Sequence, residues 1–199
     1  MIRQIDENLI AKERLMKSSD LAKIGCDECK GCSDCCKNRG SVILLDSVDV
    51  KLLKEGLGYS FEGLLQQGLI SLSVIDGIVL PHLPVKSDRE ECLFLNEEGR
   101  CSIHNIRPGI CRMFPLARIY HEDGSFSYFL QEGECSKRGS VKIRIAKWLE
   151  YPNVKKYEEE VREYHQRLTL LRKKCEKLQS KDVLTNLQKK FLEEEFIKN

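Results

Sequence analysis

No apolar run in this chain of 199 residues approaches the roughly 18 that a membrane span requires. Mean hydropathy is −0.38. The opening stretch, MIRQIDENLIAKERL, carries Asp6, Glu7 and Glu13 and has no apolar core segment, so it does not read as a secretory signal. There is no P-loop, GxGxxG fingerprint, HExxH or GxSxG, and no radical-type CxxxCxxC spacing. The common nucleotide, metalloprotease and serine-hydrolase sites are therefore missing, and the expectation is a cytoplasmic protein. Charge of one sign is also scarce: the net is +2. That average hides an asymmetry. Residues 136–199 hold 17 Lys and Arg against 10 Asp and Glu, leaving 16 against 21 for the rest. The basic tail interleaves its lysines with acidic residues and lacks a continuous, aromatic-lined stripe, so nucleic-acid binding is not expected.

What the chain has in excess is cysteine, ten in all. Nine lie between Cys26 and Cys135, and five of them form the run C26-DE-C29-KG-C32-SD-C35-C36. Two thiolates separated by two residues can fold around one ion in a tight turn, with backbone N–H groups aimed at the sulfurs. Gly25, Gly31 and the Asp and Ser residues between the cysteines suit such turns. A disulfide framework fits less well. It needs an oxidising compartment, nine is an odd number, and a bond between neighbours Cys35 and Cys36 would be strained. A dithiol redox switch would use two cysteines and leave seven.

The spacing favours metal but not one metal. Cys26, Cys29, Cys32 and Cys36 reproduce the C-x2-C-x2-C-x3-C ferredoxin spacing, yet Cys35 intrudes and Lys37 stands where a proline follows that motif. A zinc ribbon needs two separated CxxC knuckles, whereas Cys92, Cys101, Cys111 and Cys135 are single. These are expected to fold back and complete what the run begins. Eight thiolates would furnish two tetrahedral sites or one multinuclear cluster, and neighbours Cys35 and Cys36 are expected to point apart, towards two different ions.

C29-KG-C32-SD-C35-C36, then C92-LFLNEEGR-C101-SIH, then R107-P-GI-C111-R-M-F-P-L116 and a late Cys135 resemble the CxxCxxCC proteins, the YkgJ-like cysteine-cluster family of zinc- or iron-chelating domains. The resemblance spans roughly residues 26–135. Carried over position by position, it implies Cys29, Cys32, Cys35, Cys36, Cys92, Cys101, Cys111 and Cys135 as ligands. Cys26, in front of the motif, is a ninth ligand, a substitute or a free thiol. A related cysteine cluster occurs in flagellin lysine-N-methylases, which motivates a catalytic alternative, although this chain shows no S-adenosylmethionine fingerprint.

Local pattern predicts an α+β fold. Residues 1–25 hold an N-terminal helix, from the apolar spacing of Ile2, Ile5, Leu9, Leu15, Leu21 and Ile24. Residues 26–139 form a metal-stabilised cysteine-cluster domain of short helices and hairpins. Within it, Ser41–Leu45 reads as a strand, and Asp46 or Ser47 caps a helix closed by Gly56. Ser60 caps a second helix. Asp76-Gly77, Asn96–Gly99 and Glu122–Gly124 mark turns. The domain's own apolar core looks thin, so metal is expected to supply part of its folding energy. Residues 140–199 form a long helical segment. Val154, Tyr157, Val161, Tyr164, Leu168, Leu171, Cys175 and Leu178 fall at steps of three and four, a heptad seam. Over 154–178 that seam is available for a protein partner or self-association, with packing inside one chain the simpler choice. Cys175, on the seam, reads as a core thiol.

Among other side chains, His104, three residues beyond Cys101, and His82 are spare ligand candidates. His165 reads as a solvated side chain. Arg107 and Arg112 are expected to bind backbone carbonyls and offset thiolate charge. Phe114-Pro115-Leu116 is expected to pack on the cluster, and Asp46 and Asp49 to start a helix. The functional expectation is a metal-binding protein holding zinc, iron or an iron–sulfur centre, structural or electron-transferring. The alternatives are a metal-dependent protein-modifying enzyme and a helical adaptor. No residue identifies itself as catalytic.

Overall fold

A computed structural model describes residues 15–25, 32–37, 43–86, 90–131, 135, 141–178 and 180–198. The sheets are small and antiparallel. Strand β1 (Leu21–Gly25) pairs with β9 (Val141–Arg144), Leu21 opposite Arg144. Strands β2 (Ile43–Leu44), β3 (Ser71–Ile75) and β4 (Ile78–Leu83) form a three-stranded sheet in the order β2-β4-β3. Its β3–β4 hairpin turns at Asp76-Gly77 as expected, both residues having positive φ. Strands β5 (Val85–Lys86) and β6 (Glu91–Cys92) make one short pair, and β7 (Leu116–Tyr120) and β8 (Phe126–Leu130) another.

The N-terminal helix needs correction where it can be judged. Residues 21–25 are strand, with Ala22 and Ile24 turned into the core and Leu21 and Lys23 outward. That is a period of two, which a wider helical reading obscured. Residues 1–14 of the expected helix lie outside the described residues.

Helix α1 (Ser47–Leu57) starts at Asp46 through a reciprocal capping box: Asp46 Oδ1 accepts the Asp49 N–H at 2.9 Å, and Asp49 Oδ2 accepts the Asp46 N–H at 3.3 Å. It is closed not by Gly56 but by Gly58, which takes the left-handed conformation (φ 72°) that favours glycine. Helix α2 (Phe61–Gln66) follows, capped by the Ser60 hydroxyl. Helices α3 (Gly109–Met113) and α4 (Ile145–Leu149) are single short turns. Helix α5 (Val154–Lys177) runs 24 residues and begins at Asn153, whose side chain accepts the Lys156 N–H. Helix α6 (Lys181–Leu192) ends in a π-type turn, Glu193–Ile197.

The described residues form two cores, and α5 crosses both. Its Tyr157 and Val161 pack with Ala22, Ile24, Met113, Leu116, Tyr128, Ile145 and Leu149. Its Tyr164, Leu168 and Leu171 pack with α1, α2, the three-stranded sheet, Cys36, Cys92, Phe94, Leu95 and Ile103. The heptad seam is thus consumed inside the chain. The cysteine region supplies most of the first core, more than its sequence suggested, and the tail adds to it: Phe191 and Phe196 join Phe61 and Leu64. Phe196 stacks on Phe61 with ring centroids 5.7 Å apart. The boundary drawn at residue 139 divides the sequence but not the core.

Candidate metal centre

Cysteine enters the site from four kinds of local structure. Cys35 and Cys36 lie on a tight 3-10 turn, Asp34–Cys36, and the Cys36 N–H donates to Ser33 O at 2.8 Å. Cys92 ends β6. Cys101 lies beyond a narrow hairpin, in which Leu95 bridges Cys101 and the Asn96 N–H donates to Arg100 O at 2.9 Å. Gly99, with φ 70°, makes the turn. Cys111 sits in the middle of α3.

These segments bring thiols together. Cys36 Sγ is 3.7 Å from Cys35 Sγ, so the two neighbours meet and do not point apart as expected. The Cys36 thiol also shares hydrogen bonds with Cys101 and Cys92. These bonds, from Cys101 first, together with burial, push the Cys36 thiol far up. The same bond pushes Cys101 down to about 6, helped by the Ile103 N–H and the Arg107 charge and opposed by burial. Cys92 is lowered by its bond to Cys36 and by the Phe94 N–H, against burial. Cys111 is half-buried; burial raises it, and the charges of Cys35, Cys92 and Cys101 raise it further. Five cysteines therefore act on one another.

Two details bear on whether a metal fits. At Cys92 and at Cys101 the backbone N–H two residues on is directed at the sulfur. Such bonds stabilise thiolate, the form that binds metal. The donors are soft sulfur, which suits zinc, copper(I) and iron–sulfur chemistry. Cys32, Cys36, Cys92, Cys101, Cys111 and Cys175 carry thiols outside any disulfide. Among the described residues, however, no three His, Cys, Asp or Glu side chains form a closed metal-holding group. The donor set fits in kind, and the thiols converge without closing a coordination shell.

Of the remaining expected ligands, Cys32 and Cys135 are half-buried, and Cys26 and Cys29 lie outside the described residues. His104 is exposed, and Arg107 Nη1 donates to its Nδ1 at 3.1 Å. Burial lowers it first, and the charges acting on it are those of Arg107, Glu150, Arg100 and Arg112, none a cysteine. His82 is buried on β4 with both ring nitrogens engaged: Nε2 meets Ser73 Oγ at 2.9 Å, and Nδ1 donates to Leu83 O at 3.0 Å. Cys175 is half-buried against the first core, where burial raises its thiol.

The two arginines frame α3. Arg112, 6% exposed, donates to three carbonyls: Arg107 O at 2.9 Å, Glu150 O at 3.2 Å and Asn105 O at 2.6 Å. Its guanidinium lies 4.7 Å from the centre of the Tyr151 ring. Arg107 donates to His104 O at 2.8 Å and to Glu150 Oε2 at 2.9 Å. The carbonyl-binding role holds for both. Of the segment Phe114-Pro115-Leu116, Leu116 packs elsewhere than expected. Leu116 belongs to the second core, and Trp148 Nε1 donates to Phe114 O at 3.1 Å.

Sequence reasoning missed a buried polar group behind α3. Asp49 Oδ1 accepts the Gly109 N–H at 2.6 Å. Burial, and then the neighbouring Asp46, push Asp49 up to about 8. Tyr151 and Tyr157 stack with centroids 3.8 Å apart, and Arg118 Nη2 lies 3.8 Å from Asp46 Oδ2. The RPGIC stretch held the only local signal, a glycine at a helix start where a larger residue is usual.

The fold and the site together define a small α+β protein built around converging cysteine thiols. The chain belongs to the CxxCxxCC family: the family model, described as a "Putative zinc- or iron-chelating domain", matches residues 28–136, more than half of the chain. No curated protein and no solved structure matches it. Among the described residues, no helix is long and apolar enough to cross a membrane.

Proposed function

We propose that this is a cytoplasmic metal-binding protein. The thiolates of Cys29, Cys32, Cys35, Cys36, Cys92, Cys101, Cys111 and Cys135 hold zinc or an iron–sulfur centre, and its role is structural or electron-transferring. The observation that carries this reading is the meeting of Cys35 and Cys36 with Cys92 and Cys101, brought from distant segments, with backbone N–H groups directed at two of the sulfurs. Four thiolates on one ion leave no open position for a substrate, so this form of site does not hydrolyse. The adaptor alternative is weakened because Tyr157, Val161, Tyr164, Leu168 and Leu171 are buried within the chain.

The test is purification without oxygen, followed by an optical spectrum and a count of metal and acid-labile sulfide per chain. A brown protein with labile sulfide supports iron–sulfur. A colourless protein with bound zinc removes electron transfer. A folded protein without metal overturns the reading.

A further inference from the structure

Asp49 belongs to none of the cysteine segments, yet it joins one of them to the core. It is 2% exposed. Its Oδ2 completes the capping box of α1, while its Oδ1 takes the N–H of Gly109, sixty residues away in sequence. Gly109 is the first residue of α3 and stands two positions before Cys111. A helix of five residues has little stability of its own, so its orientation is imposed from outside. The N–H groups of Cys111 and Arg112 both return to Pro108 O at 2.9 Å, and the rest of the grip comes from other elements. Asp49 holds the Gly109 N–H. Tyr157 Oη occupies the place where a Cβ on Gly109 would stand, and Tyr151 Oη lies 3.2 Å from it. Arg112 ties the far end to three carbonyls.

We propose that Asp49 is a positioning residue for the metal centre: through the Gly109 N–H it fixes α3 and holds Cys111 among the thiols gathered at Cys36. This rests on the metal-binding reading above. Groups that orient metal ligands without touching metal commonly alter affinity by about 10- to 100-fold when removed. Asparagine at this position keeps an oxygen for Gly109 but turns its NH2 on the Asp46 N–H that Oδ2 accepts, and alanine keeps neither bond.

The experiment is titration of the reduced full-length chain with cobalt(II). Affinity is read by competition with a chelator, and thiolate ligation by the intensity of the sulfur-to-cobalt charge-transfer band. Asp49→Ala is expected to bind cobalt about 10- to 100-fold more weakly, with its band reduced towards that of Cys111→Ser. Asp49→Asn, which loses the weaker Asp46 bond and keeps that to Gly109, binds cobalt more tightly than Asp49→Ala. The double variant Asp49→Ala/Cys111→Ser binds no more weakly than Cys111→Ser alone, because Asp49 acts through Cys111. Should Asp49→Ala fail to fold, Gly109→Ala displaces the same helix and weakens binding, and Tyr157→Phe added to it recovers part of the loss, because the Tyr157 ring and the Tyr151 hydroxyl still crowd the new Cβ. Wild-type affinity and spectrum in Asp49→Ala overturn the proposal. So do losses that multiply in the double variant, or wild-type affinity in Gly109→Ala. Absence of cobalt binding by wild type overturns the metal reading itself, and this proposal with it.

Discussion

Ile106 fills the space that Gly56 leaves by having no side chain. A Cβ on Gly56 would stand 2.5 Å from Ile106 Cδ1 and 2.7 Å from Cγ2. Gly56 lies inside α1, and Ile106 lies on the 3-10 turn His104–Ile106 between Cys101 and Cys111. The contact therefore presses a cysteine-bearing segment onto the main helix of the first core.

Gly56→Ala places two opposing effects in competition. Alanine favours a helix interior over glycine by about 1 kcal/mol, while overpacking costs about 1–3 kcal/mol. The expected net is a loss of about 1 kcal/mol in urea denaturation. Ile106→Ala combined with it relieves the clash, so the two changes are non-additive. A stabilised Gly56→Ala protein would mean that Ile106 gives way freely.

Arg112 is a stronger constraint. Its guanidinium is buried and serves three carbonyls, and no lysine can reproduce that planar fork. Arg112→Lys is expected to cost about 3 kcal/mol through the carbonyls left short of donors. The same variant should hold metal more weakly, since Arg112 is Cys111's neighbour. Arg107→Lys, whose Glu150 partner is largely exposed, should cost about 1 kcal/mol or less. Little effect at either position would argue that both act only through charge near the thiolates, which lysine keeps.

Phe196 tests whether the tail completes the cysteine region. It is 1% exposed and meets Phe61, Tyr164 and Phe191. The segment is fastened on both sides: Lys54 Nζ donates to Phe196 O and Ile197 O, and Arg167 Nη2 donates to Glu195 Oε2 at 3.0 Å. Phe196→Ala should cost about 3–5 kcal/mol, and residues 26–139 expressed alone should show no cooperative melt. A fragment that melts cooperatively with metal bound would show that the thiols need no tail.

The features legible in sequence are those set by neighbours along the chain. The Asp76-Gly77 hairpin, the Asp46 and Ser60 caps and the α5 seam each follow from spacing within a few residues. The gathering of Cys92 and Cys101 with the Cys35-Cys36 turn follows the expected fold-back of the single cysteines onto the run. Features set by distant segments were not. Leu21–Gly25 becomes a strand because residues 141–144 arrive beside it. Gly56 is a glycine because of Ile106. Asp49 looked like a helix-start residue, and it is one, but its second bond to Gly109 has no local trace. His165 falls in the same class. It stands beside the seam among charged residues and reads as solvated, yet its ring lies flat on Tyr120, centroids 3.5 Å apart and planes within 6°.

That stack gives a pH dependence whose sign can be worked out. Burial first, then the charges of Arg172 and Arg118, hold His165 down to about 4, against an ordinary value near 6.5 (about that in model peptides). A histidine lowered on folding binds its proton more readily when unfolded. Its contribution is therefore present above about pH 6.5 and is lost as pH falls through about 4. Acid also releases metal from thiolates, so wild type must be compared with a variant at each pH. His165→Phe keeps a flat ring on Tyr120 and removes the titration. Melting temperatures of the two proteins between pH 7.5 and 4 should diverge on the acid side, with wild type falling more steeply. Parallel curves would mean that His165 takes up its proton in the folded protein at the ordinary pH, with the stack intact or opened.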